Sequence, residues 1–331
     1  MKNHALLRVE NLKKYFPVRR SLLEVILFRK TKYVRAVDDV SFSLGEGEIL
    51  GVVGESGCGK STMGRTILRL VEPTDGRIYF EGIDVTSLSK KEMRRMRRKM
   101  QMIFQDPHGS LNPRRTVADI LRQSVRIHKL VDGKSEEDAL IKQTLEEVEL
   151  KPAEEFWGRY PVLLSGGQRQ RVGIGRVLIL QPKLVIADEP ISMLDVSVRM
   201  GILELLAKLR DKFGISFIYI THDVATARYI CDRIAIMYLG KFVEVAGTED
   251  LLKNPLHPYA RALIAAVPVP DPRVELPDLP IIGYVPVVPS EVQTSCRFRL
   301  RCPYAEKECG EQDPPLIEVA PGHYVACIKA K

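Results

Sequence analysis

The chain has 331 residues, 45% of them hydrophobic, which is ample for one core domain of about 250 residues and an appendage. Its longest apolar run near the N-terminus, Leu22 to Phe28, is far below the roughly 20 residues of a membrane-spanning helix, and no signal peptide precedes it. A globular, cytosolic protein is therefore expected.

The net charge of +8 concentrates at Lys13 to Arg35 and Lys90 to Lys99. Such runs either attract an anionic membrane surface or nucleic acid, or mark a solvated helix face. Six cysteines in a cytosolic chain argue for buried thiols or a metal site over a disulfide framework.

Residues 1 to about 266 alternate short β-rich runs with helical patterns and predict a doubly wound α/β core. ILGVV (Ile49 to Val53) reads as a buried strand, followed directly by GESGCGKST. The stretch Thr116 to Leu150 is helical, within a subdomain expected over about 106–180. LSGGQ at Leu164 to Gln168 precedes a helix expected over Gln168 to Leu180. LVIAD (Leu184 to Asp188) and SFIYI (Ser216 to Ile220) are further buried strands, each leading into a polar turn, so chemistry is expected at the strands' carboxyl ends. From Val267 to Ser290, seven prolines in 24 residues preclude helix and central strand, so 267–331 reads as a Pro-rich linker and a Cys-rich terminal region.

GESGCGKST lies between a strand and a helix, the context of a Walker A loop. Gly54, Gly57 and Gly59 let backbone amides approach phosphates, Lys60 reaches the β- and γ-phosphates, and Ser61 is a magnesium ligand. Glu55, Ser56, Cys58 and Thr62 complete the nucleotide-binding loop, with Cys58 a tolerated small residue and no redox centre. Asp188 suits the holding of magnesium and Glu189 the polarisation of an attacking water. Ser165 ahead of Gly166, Gly167 and Gln168 is a favoured helix N-cap, and a capped helix start is also an anion site.

This set resembles the nucleotide-binding subunit of an ATP-binding cassette (ABC) transporter over almost the whole chain. The resemblance implies an ABC-type P-loop ATPase with a RecA-like core, a helical signature subdomain and an antiparallel β part. It implies that Ser165 and Gly167 contact the γ-phosphate of ATP held by a second subunit, so that activity requires a dimer. Gln105 in FQDP resembles the loop glutamine that senses magnesium and the membrane partner, His222 in ITHD the switch histidine that contacts the γ-phosphate, and Asp195 in SMLD the D-loop aspartate. Phe16 in ENLKKYF aligns with the adenine-stacking position; the alternative is a ring packed in the core.

Cys296, Cys302, Cys309 and Cys327, separated by five, six and seventeen residues, are soft ligands of the kind that zinc or an iron-sulfur cluster takes, or else four scattered buried thiols. SCRFRLRCPYAEKEC, HPYARAL at His257 to Leu263 and HYVAC at His323 to Cys327 resemble the C-terminal extension of oligopeptide and dipeptide importer ATPases. That resemblance implies that the four cysteines hold a [4Fe-4S] cluster, with zinc as the alternative; a structural role is expected for it over electron transfer, since nothing else in the sequence reads as binding a redox partner. Arg297, Arg299 and Arg301, beside the thiolates in sequence, are expected to offset its charge.

The resemblance further implies ATP and Mg2+ as ligands, a homologous or identical ATPase partner, two transmembrane permeases, and indirectly an extracytoplasmic peptide-binding protein. It places the chain at the cytoplasmic face of the membrane. Dipeptides or oligopeptides are the expected cargo, with nickel or another cargo left open. A soluble cassette ATPase acting on nucleic acid is the other reading. Lys60 and Ser165 are only 105 residues apart, too close for the coiled-coil insertion of DNA-repair relatives, and the chain has one cassette; no nucleic-acid partner is expected.

Overall fold

The computed structural model describes residues 5–18, 32–267, 281–283 and 295–330. Most of the basic insertion at 17–32 and of the Pro-rich stretch at 267–290 lies outside the described residues. The chain divides into two compact units: Met1–Leu44, Leu50–Ser87 and Thr221–Lys331 form one, and Gly45–Ile49 with Leu88–Ile220 form the other.

In the first unit an antiparallel sheet runs in the order Tyr33–Leu44, Leu7–Pro17, Asp75–Phe80, Ile83–Asp84. Its long strand buries Leu7 and Val9 and exposes Arg8, the period-two pattern of a sheet with one wet face. A second set of strands runs Ile317–Ala320, His323–Val325, Lys241–Gly247, Arg233–Tyr238, Ile49–Val53. Neighbours are antiparallel except the last pair, where Val53 lies opposite Ile236 in parallel register. Ile49–Val53 is buried throughout, as its unbroken apolar run predicts.

The described residues of the terminal region are built into this first unit. His323–Val325 adds a strand to Lys241–Gly247, with Val325 opposite Glu244. Glu244 is 0% exposed and accepts hydrogen bonds from Leu256 N (2.9 Å), His257 N (2.7 Å) and His323 Nε2 (2.8 Å). One buried carboxylate thus ties the terminal strand to the HPYARAL segment, whose helix is Pro258–Ala265.

The second unit centres on three parallel strands, with Leu184–Asp188 between Met100–Ile103 and Ser216–Thr221. The helices expected between Thr116 and Leu150 are Val117–His128, capped by the Thr116 hydroxyl, and Lys134–Glu147. Arg126 and Glu137 join them through paired hydrogen bonds of 3.0 to 3.2 Å. The basic run forms the helix Lys90–Met96, which buries Met93 and exposes Lys90, Lys91, Arg94 and Arg95. That is a solvated face around one apolar anchor.

Glu244→Ala leaves three buried donors without their acceptor, and is expected to lower stability by about 3 kcal/mol. Urea denaturation of the full chain checks this, and an unchanged midpoint would contradict the hub assigned to Glu244.

Candidate nucleotide-binding and hydrolysis site

The loop Gly54 to Gly59 leaves the strand Ile49–Val53 and enters the helix Lys60–Ile67, the strand-loop-helix order expected of a phosphate loop. Its path is sterically exacting. A Cβ on Gly54 would lie 2.2 Å from Met237 O, and one on Gly59, at φ +107°, would lie 1.9 Å from Ala36 O. Glycine is required at both positions, by close backbone approach and at Gly59 also by the left-handed conformation.

Lys60 is 4% exposed, and its Nζ donates to Gly54 O (2.6 Å) and Glu55 O (2.9 Å), so the ammonium lies over the loop's own carbonyls. Ser61 and Thr62 follow in the first helical turn, which carries no acidic residue to oppose an anion. Cys58 is buried and its thiol is pushed up by burial in spite of Lys60, the environment of an inert thiol. Phe16, near the end of Leu7–Pro17, is 38% exposed with Lys14 Nζ 4.9 Å from its ring centroid, so it is not a core ring. His222 follows Ser216–Thr221 on the exposed start of the turn into Val224–Ile230, which Asp223 caps.

In the second unit the buried strand Leu184–Asp188 delivers Asp188, 1% exposed, and then Glu189. Glu189 has φ +45°, a left-handed backbone uncommon for a non-glycine residue, and its N–H is held by Ile220 O at 2.9 Å. Gln105 Nε2 donates to Glu189 Oε2 at 2.9 Å, a contact unforeseen from the sequence, where the two are 84 residues apart. The bond uses the amide nitrogen of Gln105 and orients the carboxylate.

Ser165 caps the helix Gly166–Leu178, which begins two residues earlier than its predicted start at Gln168. A capping box closes it: Ser165 Oγ accepts from Gln168 N (3.3 Å) and Gln168 Oε1 accepts from Ser165 N (3.0 Å). A Cβ on Gly167 would lie 2.4 Å from Val198 Cγ1, so the glycine lets this helix start close against Val196–Phe213, whose N-cap is Asp195. Around Ser165 and Asp195 the apolar side chains of Val162, Leu163, Met193 and Val196 are 63 to 75% exposed.

Cys296, Cys302, Cys309 and Cys327 line one small cavity of ≈ 20 Å³, open in part to solvent, together with His257, Pro258, Phe298 and Arg299. They are neither scattered nor disulfide-linked. Burial pushes the Cys296 thiol up to about 11, with Cys309 and Cys327 adding to the shift, and raises Cys302 as well. Among the described residues no group of three or more His, Cys, Asp or Glu is disposed to hold a metal ion.

The expectation that three arginines serve these thiolates is corrected. Only Arg299 lines the cavity. Arg297 is 7% exposed and pairs with Asp38, which also accepts from the Tyr15 hydroxyl; these partners outweigh burial and hold the Asp38 carboxyl below its usual range. Arg301 is bound to Glu55 of the phosphate loop through two hydrogen bonds of 2.7 and 2.9 Å. The run of alternating basic residues looked uniform, but its local turns send the guanidinium groups to different carboxylates.

A glycine-shaped loop between a strand and a helix, and a parallel strand ending in Asp188 followed by Glu189, are the elements of an α/β P-loop ATPase. Residues 37–192 match the family described as ABC transporter, and residues 243–309 match the oligopeptide/dipeptide transporter C-terminal region. The chain is 46% identical to the oligopeptide transport ATP-binding protein AppF of Bacillus subtilis, over 97% of this chain and 96% of that one. It is 45% identical to the putative peptide import ATP-binding protein BOV_A0347 of Brucella ovis, over 98% of each. Among solved structures, the dimeric post-hydrolysis state of the ATP-binding cassette MJ0796 bound to ADP and Pi superposes with a TM-score of 0.64 at 28% identity, covering 73% of this chain and 98% of that one. The chain belongs to the ABC transporter ATP-binding family, in the branch carrying the oligopeptide/dipeptide transporter C-terminal region, and it is an ATP-hydrolysing enzyme.

Gly59→Ala forces the loop away from Ala36 O and is expected to abolish ATP binding while the chain still folds. Equilibrium binding of MgATP beside a circular dichroism spectrum checks this; wild-type affinity would contradict the constraint.

Proposed function

We propose that this chain is the ATPase subunit of a peptide importer, bound to the cytoplasmic face of the membrane through two permeases. The observation that carries the cargo class is the match of residues 243–309 to oligopeptide/dipeptide transporters; this region enters the unit bearing the phosphate loop through the pairing of Lys241–Gly247 with Arg233–Tyr238. No described helix is long and apolar enough to cross a membrane, in keeping with separate permease subunits.

The proposed roles follow the chemistry of the side chains. Loop amides and Lys60 hold the β- and γ-phosphates, and Phe16 stacks on the adenine. Ser61, Gln105 and Asp188 offer the hard oxygen donors that magnesium takes, and the ion when bound neutralises phosphate charge. Glu189, oriented by Gln105, accepts a proton from the attacking water, and His222 contacts the γ-phosphate. Ser165 and Gly167, with Gly166, Gln168 and Asp195 behind them, complete the site of a second cassette subunit. The exposed apolar rim at Val162, Leu163, Met193 and Val196 supports a surface made to be covered by such a partner.

The four-cysteine cavity is proposed to hold a [4Fe-4S] cluster. Three observations support this reading: four soft ligands line one cavity, burial opposes ionisation of Cys296 and Cys302 unless a cation joins them, and Arg299 Nε at the cavity is buried without an acceptor among the described residues. A bound cluster would be held by Cys296, Cys302 and Cys309 from one turn-rich segment and by Cys327 from the chain's last residues.

Glu189→Gln is expected to slow ATP hydrolysis by about 10²-fold or more, the scale of general-base loss, with MgATP binding retained and uptake of labelled peptide lost in cells. Unchanged turnover would remove Glu189 from this role, and normal uptake with turnover lost would remove the peptide cargo. Anaerobically purified protein is expected to contain about four irons per chain, lost in Cys302→Ser. One zinc, or no metal, would overturn the cluster.

A further inference from the structure

Glu55 is held from two directions by the terminal region. Its N–H donates to the hydroxyl of Tyr259 at 2.9 Å, and its carboxylate receives the bidentate grip of Arg301. Arg301 is 7% exposed, and its guanidinium carbon lies 5.8 Å from the ring centroid of Tyr238 and 6.0 Å from that of Phe298. Tyr238, Tyr259 and Phe298 form a buried three-ring floor with centroids 4.7 to 5.4 Å apart. Tyr238 ends the strand that pairs with Ile49–Val53, the strand that launches the loop.

The residues making this grip alternate with residues lining the four-cysteine cavity. His257 and Pro258 face the cavity, and the next residue, Tyr259, reaches Glu55. His257 Nδ1 accepts from Tyr259 N at 3.0 Å, which sets the tyrosine at the start of its helix. Phe298, Arg299 and Cys302 line the cavity, and Arg301 between them reaches Glu55. The turn is closed by Arg301 N donating to Phe298 O at 2.9 Å, and Cys296 N donating to Cys309 O at 2.9 Å.

We propose that Arg301 and Tyr259 are positioning residues for the phosphate loop, and that the four-cysteine cavity maintains their grip on Glu55. The proposal rests on the ATP-binding role of Gly54 to Thr62. A loop that must present bare amides to an anion has no side-chain packing of its own to define its shape. Here a charge-assisted fork and a tyrosine hydroxyl supply the definition from outside, which lowers the ordering cost of nucleotide binding. Because Glu55 N–H is committed to Tyr259, the amides offered to phosphate are those that follow it. Coupling of this kind is reciprocal: a cavity that tightens the loop is itself tightened when the loop is occupied.

The test uses the full chain, with steady-state ATPase kinetics and hydrogen exchange of the amides of residues 54–59. Arg301→Gln is expected to raise the KM for ATP about tenfold, the scale of one lost charge-assisted pair, with kcat within about twofold. Arg301→Lys recovers part of the loss by reaching one carboxylate oxygen. Tyr259→Phe, which removes a single oxygen and keeps the ring, is expected to speed exchange at residues 54–59, as is Cys302→Ser. Wild-type KM and exchange in both Arg301→Gln and Tyr259→Phe would overturn the grip, and Tyr259→Phe alone decides it where Arg301→Gln does not fold. Wild-type exchange in Cys302→Ser would overturn the link to the cavity. Failure of the wild-type chain to turn over MgATP would instead strike the ATP assignment, and the exchange measurement would still read the grip.

Discussion

A phosphate loop works by leaving its backbone amides uncovered, so the structure that surrounds it must do what side-chain packing does elsewhere. In this chain Met237 O and Ala36 O press on Gly54 and Gly59 closely enough to exclude any Cβ, and Lys60 is folded onto the loop's carbonyls. Those neighbours come from a strand nearly two hundred residues downstream and a strand before the loop, so the loop's shape is a property of the whole first unit. The buried pairing of Ile49–Val53 with Arg233–Tyr238 is what brings Met237 there.

The second unit answers a different demand, the presentation of carboxylates at a strand end. Leu184–Asp188 sits between two parallel neighbours and is buried along its length, so the chain turns only after Asp188, and Glu189 emerges in a left-handed backbone. Ile220 O and Gln105 hold that conformation from both sides of the residue, through its N–H and its carboxylate. Backbone strain of this kind persists where surrounding bonds over-determine it. The signature segment is economical by comparison, since a capping box within four residues forms it locally.

The terminal region shows how a small extension becomes part of a larger core. It joins the first unit through an added strand, a buried carboxylate and two guanidinium groups. Buried arginines are tolerable when each meets a carboxylate, and Arg297 with Asp38 and Arg301 with Glu55 satisfy that condition. The same pairings explain the side chain of Glu55, which no phosphate-binding argument requires.

Local patterns were legible from the amino-acid sequence alone: the buried runs of three strands, the glycine spacing of the phosphate loop, the serine cap before two glycines, and the crowding of four cysteines at the end. Each rests on a short-range rule of burial, turn geometry or capping. Partner choice was not legible. Nothing in CRFRLRC distinguishes Arg299, which faces the cysteines, from Arg297 and Arg301, which face Asp38 and Glu55 more than two hundred residues away in sequence. Nor does the spacing of Gln105 and Glu189 announce their hydrogen bond. Residue type and local periodicity determined which groups this protein has and which strands, turns and helix starts carry them. Only the tertiary structure decided which charge meets which, because charge pairing is set by distance in space and the sequence records only distance along the chain.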